Sequence, residues 1–356
     1  MNHICENILN KANEEAIYNL YLYLLDKVNP EDNESLESIV HRLKNLFKNQ
    51  KSNIWKERDV LRLKIIENAV KKSTVLANSK ISNLTRSKSG LTACSFTRPD
   101  GGVSVVFKGT GSGEWIDNGE GLSGIPEENI YMNYENMGKI INIKTIENDY
   151  ASDQQVEALN WFNKICSENN WDFSKEIRVS GHSKGGNKAQ FIAICQGLTD
   201  SCYSFDGQGF SPEALEFFKK KYGREYEKRR KVIYSFSADN DYVNVLGKRL
   251  VPKENIYYFK SNSGFHYLET ILDKNGRLMP QSEQGKISEY VETVCRELMN
   301  MNPTLRQYVT LGVMNIFQKY LGEGKPVNND AVSIEKTVAG IGIAMASLLR
   351  RFFREK

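Results

Sequence analysis

The stretch Glu176-Ile177-Arg178-Val179-Ser180-Gly181-His182-Ser183-Lys184-Gly185-Gly186-Asn187 decides how the rest of the chain is read. Ile177, Arg178 and Val179 have the character of the end of a short buried strand, and from Lys184 onward the apolar spacing is that of a helix. Ser183 falls on the corner between them, inside the pattern G-x-S-x-G (Gly181 to Gly185). That pattern sets a serine on a sharp strand-to-helix turn with its hydroxyl exposed at the carboxyl end of a sheet. Glycines two before and two after the serine let strand and helix approach closely. The first amides of the helix, that of Lys184 among them, then point to where a tetrahedral intermediate would carry negative charge. Five residues alone also fit an ordinary turn with a solvated serine. The strand before and the helix after are what favour the nucleophile reading.

Outward from this corner the chain alternates strand and helix. Asp149 to Asn169 is expected to be a helix that delivers the chain to the corner. Strands are expected over Leu91–Thr97 and Val103–Lys108, joined by the turn sequence Pro99-Asp100-Gly101-Gly102, and then over Cys202–Phe205, Val232–Ser237 and Ile256–Lys260, with a helix from Pro212 to Tyr222. This alternation is the α/β pattern of a mostly parallel sheet flanked by helices. Helices are expected before it, up to about residue 80: one carrying Ile17, Leu20, Tyr21, Leu24 and Leu25 and ending near Pro30, one carrying Leu36, Ile39, Val40, Leu43, Leu46 and Phe47, and a third from about Asn53 into the seventies. Helices follow it too, over about Glu283–Met301, Thr304–Leu321 and Ser333–Arg354. The organisation expected is an amino-terminal helical region (1–85), an α/β core (86–280) and a carboxyl-terminal helical region (281–356). Residues 111–148 are too long for a plain connection and read as a lid or substrate-facing wall, with a short strand near Ile140–Ile143.

Composition narrows the class. The chain has 356 residues, 40% hydrophobic and 26% charged, which is ordinary for a globular protein and excludes disordered and fibrous classes. Its 48 basic and 44 acidic residues nearly balance, so nothing argues for nucleic acid, although weak attraction to an anionic membrane surface is compatible with them. The last helix, with Val338, Ile341, Met345, Leu348, Leu349 and Phe352 on one side and a basic end, either packs on the domain or lies on such a surface. Six cysteines, none in a C-x-x-C pair, fit a reducing compartment. The amino terminus lacks the basic lead of a Sec signal, and the longest uncharged run, Thr337–Leu349, is too short to span a bilayer. A cytoplasmic location is therefore expected.

A serine hydroxyl needs a base to take its proton and a carboxylate to orient that base. There are four histidines. His3 lies in the tail and His41 in an amino-terminal helix. His182 adjoins the serine, but neighbouring side chains at a sharp turn diverge. His266, in a loop after a late strand, is left as the base. The order serine, acid, histidine puts the acid between Ser183 and His266, where Asp206, Asp239 and Asp241 all sit at strand ends. A carboxylate at a strand end is also often only a turn former. No histidine and carboxylate cluster has metal-ligand spacing, so no metal and no cofactor is expected.

The segment Phe107-Lys108-Gly109-Thr110, followed by Trp115, resembles the F-R-G-T/S and tryptophan of the class 3 (fungal-type) lipases. The resemblance implies an oxyanion-hole role for Thr110. Asp241-Tyr242-Val243 resembles the D-x-V of the same lipases, which favours Asp241 over Asp206 and Asp239 as the acid. The corner Gly181-His182-Ser183-Lys184-Gly185-Gly186-Asn187 resembles the G-H-S-K-G-G-N of the bacterial Mbeg-like family, a lipase-like branch of the α/β-hydrolases. Phe205-Asp206-Gly207-Gln208-Gly209-Phe210 is similar to that family's F-D-G-P-G-F, with Gln208 in place of proline. The likeness covers about residues 90 to 275. It implies an α/β-hydrolase core in which Ser183, His266 and Asp241 cleave a carboxylic ester of the lipid-like class, with Thr110 and Lys184 as oxyanion donors. The same machinery serves amidases, thioesterases and acyltransferases, and a non-enzymatic interaction protein with a relict core is the reading from another class.

Overall fold

Eight strands form one sheet whose spatial order follows the chain: β1 (Lys80–Arg86), β2 (Thr92–Thr97), β3 (Val103–Phe107), β4 (Ile177–His182), β5 (Ser201–Phe205), β6 (Ile233–Ala238), β7 (Ile256–Phe259) and β8 (Gln281–Ser282). The computed structural model describes residues 3–49, 55–110, 115–123, 150–262, 266–303, 305–307 and 309–310. Strands β3 to β7 are parallel, while β1, β2 and β8 pair antiparallel with their neighbours. This is the mostly parallel α/β sheet expected from the alternation around Ser183.

Because the parallel strands advance in one direction without reversing, right-handed crossovers send every connecting helix to the same face. Those helices are α6 (Asp153–Glu168), α7 (Lys184–Cys195), α8 (Pro212–Tyr222) and α9 (Arg224–Lys231), and the first three pack Phe162, Phe191, Ile192 and Phe218 against Val103, Val105, Ile177 and Val179. The opposite face would be left bare. It is covered by the amino-terminal helices α1 (Glu6–Leu22), α2 (Leu36–Asn49), α3 (Glu57–Lys72) and α4 (Thr74–Asn78), whose Leu20, Tyr21, Ile39, Leu43 and Ile66 meet Phe96, Val106, Phe205, Phe236 and Phe259. Side chains thus alternate along β3, Val105 to one layer and Val106 to the other, which is the period of a strand buried on both faces.

Polar groups also tie α1 to the sheet. Glu15, fully buried, accepts from Ser104 at 2.5 Å and from Ser180 at 2.7 Å, and Asn19 donates to Ser180 at 2.9 Å. Burial raises the Glu15 carboxyl above its ordinary value, against the pull of Arg178 and the two serines.

The expected helix from Pro212 to Tyr222 forms with those bounds, its Ser211 hydroxyl accepting the Ala214 amide at 3.1 Å. The first helix stops at Leu22, eight residues before Pro30, and successive turns fill the gap. Strands β1 and β8 had no counterpart in the sequence reading. The first is polar and carries a register shift between Ser82 and Thr85, and the second has two residues, so neither shows alternation. Of the expected lid, Trp115–Ser123 is helix α5, and the rest lies outside the described residues. So do the strand near Ile140–Ile143, the helix expected over Ser333–Arg354 and the part after residue 310 of the one expected over Thr304–Leu321. Helix α10 (Lys286–Met299) falls within the expected Glu283–Met301. All six cysteines are free thiols, and among the described residues no helix is long and apolar enough to cross a membrane.

Candidate active site

The corner is built from backbone contact. A Cβ on Gly181 would lie 2.1 Å from the Gly185 carbonyl carbon, and one on Gly185 would lie 2.0 Å from the Phe107 oxygen. Strand β4, helix α7 and the end of β3 therefore meet with no room for a side chain. Ser183, between β4 and α7, is held at φ 59° and ψ −127°, a conformation that costs a residue with a Cβ of order 1–3 kcal/mol.

Three chain segments converge on this serine. His266 follows β7, and its Nε2 lies 2.7 Å from Ser183 Oγ. Its Nδ1 lies 2.7 Å from Asp241 Oδ2. Asp241 follows β6 and is fully buried, and its other oxygen accepts the amides of Val243 at 2.8 Å and Asn244 at 2.7 Å. An acid fixed in this way holds the imidazole with Nδ1 protonated and the Nε2 lone pair toward the serine hydroxyl.

The other two candidate acids have different partners. Asp239 is a turn former: its carboxylate accepts the Asn240 amide at 2.9 Å and its carbonyl accepts the Gly285 amide at 2.7 Å. Asp206, fully buried, accepts the Ala238 amide at 2.9 Å through Oδ1. Its Oδ2 has no hydrogen-bond partner among the described residues, and the His182 Nε2 is 3.7 Å away. Burial and then the neighbouring Asp241 charge push the Asp206 carboxyl far above the usual range.

His182 does turn away from the serine, as adjacency at a corner dictates. Its Nδ1 is 2.6 Å from the Tyr23 hydroxyl of the turn after α1. Its ring nevertheless stacks on that of His266, with centroids 5.0 Å apart at 28°. Burial, followed by the charges of His266, Arg62 and Arg58, lowers its pKa and keeps it neutral. Sequence reasoning missed this pairing because Tyr23 and His182 are 159 residues apart.

Gly109 passes against the corner: a Cβ there would meet the Tyr23 hydroxyl at 2.6 Å and Ser183 Cβ at 3.2 Å. Thr110 is the next residue, and its Oγ1 accepts from Asn118 Nδ2 of α5 at 3.0 Å, which leaves the hydroxyl hydrogen to be given elsewhere. Lys184, at the first position of α7, has an amide without an intrahelical partner by virtue of that position. Its side chain is fully buried, pairs with the Asp117 carboxylate and donates to the Asp117 carbonyl at 2.9 Å. Asp117 accepts in addition from Ser152 Oγ at 2.8 Å and the Gln154 amide at 3.0 Å. Burial would raise the Asp117 carboxyl, but Lys184 and these hydrogen bonds outweigh it and hold the carboxyl below its ordinary value. One helical turn on, burial and the Asp117 and Asp153 charges push Glu120 up to about 7. A buried lysine signals an acid somewhere, but nothing local identifies residue 117.

The site's mouth is aromatic. Tyr242 and Tyr267 are each 42% exposed, the first with its ring 5.8 Å from that of His266, the second with the Arg58 guanidinium carbon 3.2 Å above its ring centre. The sequence offers no metal cluster, yet the fold gathers one ligand atom each from His182, Asp206 and His266 within 4.8 Å of one another. The three stand at or beyond the ends of β4, β5 and β7, so no spacing in the chain announces them.

Residues 145–244, which include Ser183, Asp206 and Asp241, match the Mbeg1-like family. No curated protein matches the chain. Among solved structures, lipase II from Rhizopus niveus is similar at 11% identity over 73% of this chain and 83% of the lipase, with a TM-score of 0.38. The Rhizomucor miehei lipase propeptide complex is similar at 11% identity over 73% of this chain and 69% of that one, with a TM-score of 0.38. A triacylglycerol lipase from Penicillium expansum is similar at 9% identity over 63% and 90%, with a TM-score of 0.31. The chain has a mostly parallel α/β sheet flanked by helices, and over residues 145–244 it resembles the Mbeg1-like family.

Proposed function

We propose that the protein is a serine hydrolase that cleaves carboxylic esters with an apolar, lipid-like acyl group, through Ser183, His266 and Asp241. The observation that carries this reading is the continuous line from Asp241 Oδ2 through both nitrogens of His266 to Ser183 Oγ, with 2.7 Å at each step. His266 takes the Ser183 proton as Oγ attacks the ester carbonyl, and Asp241 stabilises the imidazolium that forms. The amide of Lys184 and the amide and hydroxyl of Thr110 receive the developing oxyanion, a contribution of about 3 kcal/mol per donor. His266 then protonates the leaving alcohol, and water activated by the same imidazole releases the acid from the acyl-enzyme. The part-exposed ring of Tyr242 beside His266 favours an apolar acyl group.

Amidase, thioesterase and acyltransferase chemistry would use the same line of residues, and substrate competition separates them. The test is mass spectrometry of the intact protein after a fluorophosphonate probe, with Ser183→Ala and His266→Ala, followed by turnover of p-nitrophenyl esters of short and long acyl chains. One adduct on the wild type, none on either variant, and faster turnover of the longer esters is the expected result. Absence of labelling in the wild type, with and without detergent or lipid, would overturn the reading and leave a non-enzymatic interaction role.

A further inference from the structure

We propose that His182, Asp206 and His266 form a zinc site beside Ser183, and that zinc bound there switches the nucleophile off. His182 Nε2 and Asp206 Oδ2 each have no hydrogen-bond partner among the described residues, although the two side chains are only 6% and 0% exposed, and they lie 3.7 Å apart. That separation is long for a hydrogen bond. It is within a few tenths of an ångström of the spacing of about 3.3 Å between two ligands of a tetrahedral zinc ion with bonds near 2.0 Å.

Each atom is aimed by its own residue's other contact. Tyr23 engages His182 Nδ1 at 2.6 Å, and with Nδ1 donating, the Nε2 lone pair faces Asp206. The Ala238 amide holds Asp206 Oδ1 at 2.9 Å, which turns Oδ2 toward His182. An outer partner that fixes a ligand's orientation in this way is the arrangement of protein zinc sites. The third ligand atom, on His266, completes a group within 4.8 Å and is the group's opening to solvent, its side chain 16% exposed. Two imidazoles and a carboxylate with a fourth position for water suit zinc better than calcium or magnesium, which take oxygen donors.

Both nitrogens of His266 are already committed, Nδ1 to Asp241 and Nε2 to Ser183. Coordination takes one of them and breaks that hydrogen bond, so the ion and an activated Ser183 exclude each other. This consequence rests on the hydrolase reading, whereas binding of the ion does not.

Zinc is titrated by calorimetry into the full chain after treatment with a chelator, using Ser183→Ala, Asp206→Asn and His182→Gln, each first checked for folding by circular dichroism. Ser183→Ala binds one zinc with wild-type affinity, and Asp206→Asn and His182→Gln each bind at least about tenfold more weakly, as expected for loss of a ligand. Fluorophosphonate labelling of the wild type is slowed at least about tenfold by saturating zinc and restored by chelator, while in Asp206→Asn the ratio of rates with and without zinc is near one. Absence of saturable binding to Ser183→Ala overturns the site, as does an affinity unchanged in both ligand variants, which would put the ion elsewhere, such as the exposed Cys5. Wild-type protein that never labels refutes the hydrolase reading, and the calorimetry still decides the metal.

Discussion

Ser183, Asp206 and His266 share a positive φ, which residues with a Cβ rarely adopt, at 59°, 47° and 58°. Strain at Ser183 is sustained by the crossing of β4 and α7, so removing the side chain relieves it. Ser183→Gly is expected to raise the denaturant midpoint, by a net of about 1 kcal/mol after the entropy cost of glycine, while abolishing fluorophosphonate labelling. The choice among three aspartates is also a question at this scale. Asp241→Asn leaves an amide that cannot stabilise the imidazolium and favours the wrong tautomer. Its ester turnover is expected to fall by about three to four orders of magnitude. Asp239→Asn, at a turn whose carboxylate meets only the Asn240 amide among the described residues, is expected to stay within about twofold of wild type in the same assay.

Helix α5 joins the corner through the buried Lys184–Asp117 ion pair, the hydrogen bond from Lys184 to the Asp117 carbonyl and the hydrogen bond from Asn118 to Thr110. Asp117→Asn leaves the Lys184 ammonium fully buried without its counter-charge. The expected loss is about 3–5 kcal/mol in denaturant unfolding, with lower kcat because α5 no longer fixes Thr110. The same helix carries a pH dependence. Glu120 is raised from 4.5 to about 7, so the folded state binds its proton more tightly than the unfolded chain does. Its favourable contribution is complete below pH 4.5 and is lost as pH rises to about 7, roughly 3 kcal/mol in all. Glu120→Gln is expected to flatten that part of the stability–pH curve, read from urea midpoints between pH 4.5 and 8. Helix α7 allows no such adjustment where it crosses β3. The Cβ of Gly185→Ala would meet the Phe107 carbonyl, so the soluble folded fraction is expected to collapse.

The described residues form three layers, of which the amino-terminal helices are one. Ala16, Ile17, Tyr18, Leu20, Tyr21 and Leu22 are fully buried, and at about 1.5–3 kcal/mol for each large side chain their loss exceeds the net stability of a typical domain. Deletion of residues 3–28 is accordingly expected to abolish cooperative thermal unfolding. A merely appended helix would leave the transition of the remaining chain in place.

The sequence by itself determined the parts governed by local rules. A strand, a glycine-flanked serine and a helix in succession fix the corner at Ser183 from residues 176 to 195, and the strand and helix runs on either side make the alternating sheet legible. Strand-end aspartates and a shortage of histidines narrowed the partners to His266 and three acids. Only the tertiary structure decided which acid reaches His266, because Asp206, Asp239 and Asp241 all stand at strand ends and their separation depends on how β5, β6 and β7 splay. It also decided that Tyr23 holds His182, that Asp117 neutralises Lys184, and that His182, Asp206 and His266 form a cluster. Those pairs are 24 to 159 residues apart in the chain. Nothing in a local pattern encodes such distances, which are set by strands lying side by side and by a helical layer folded back across them.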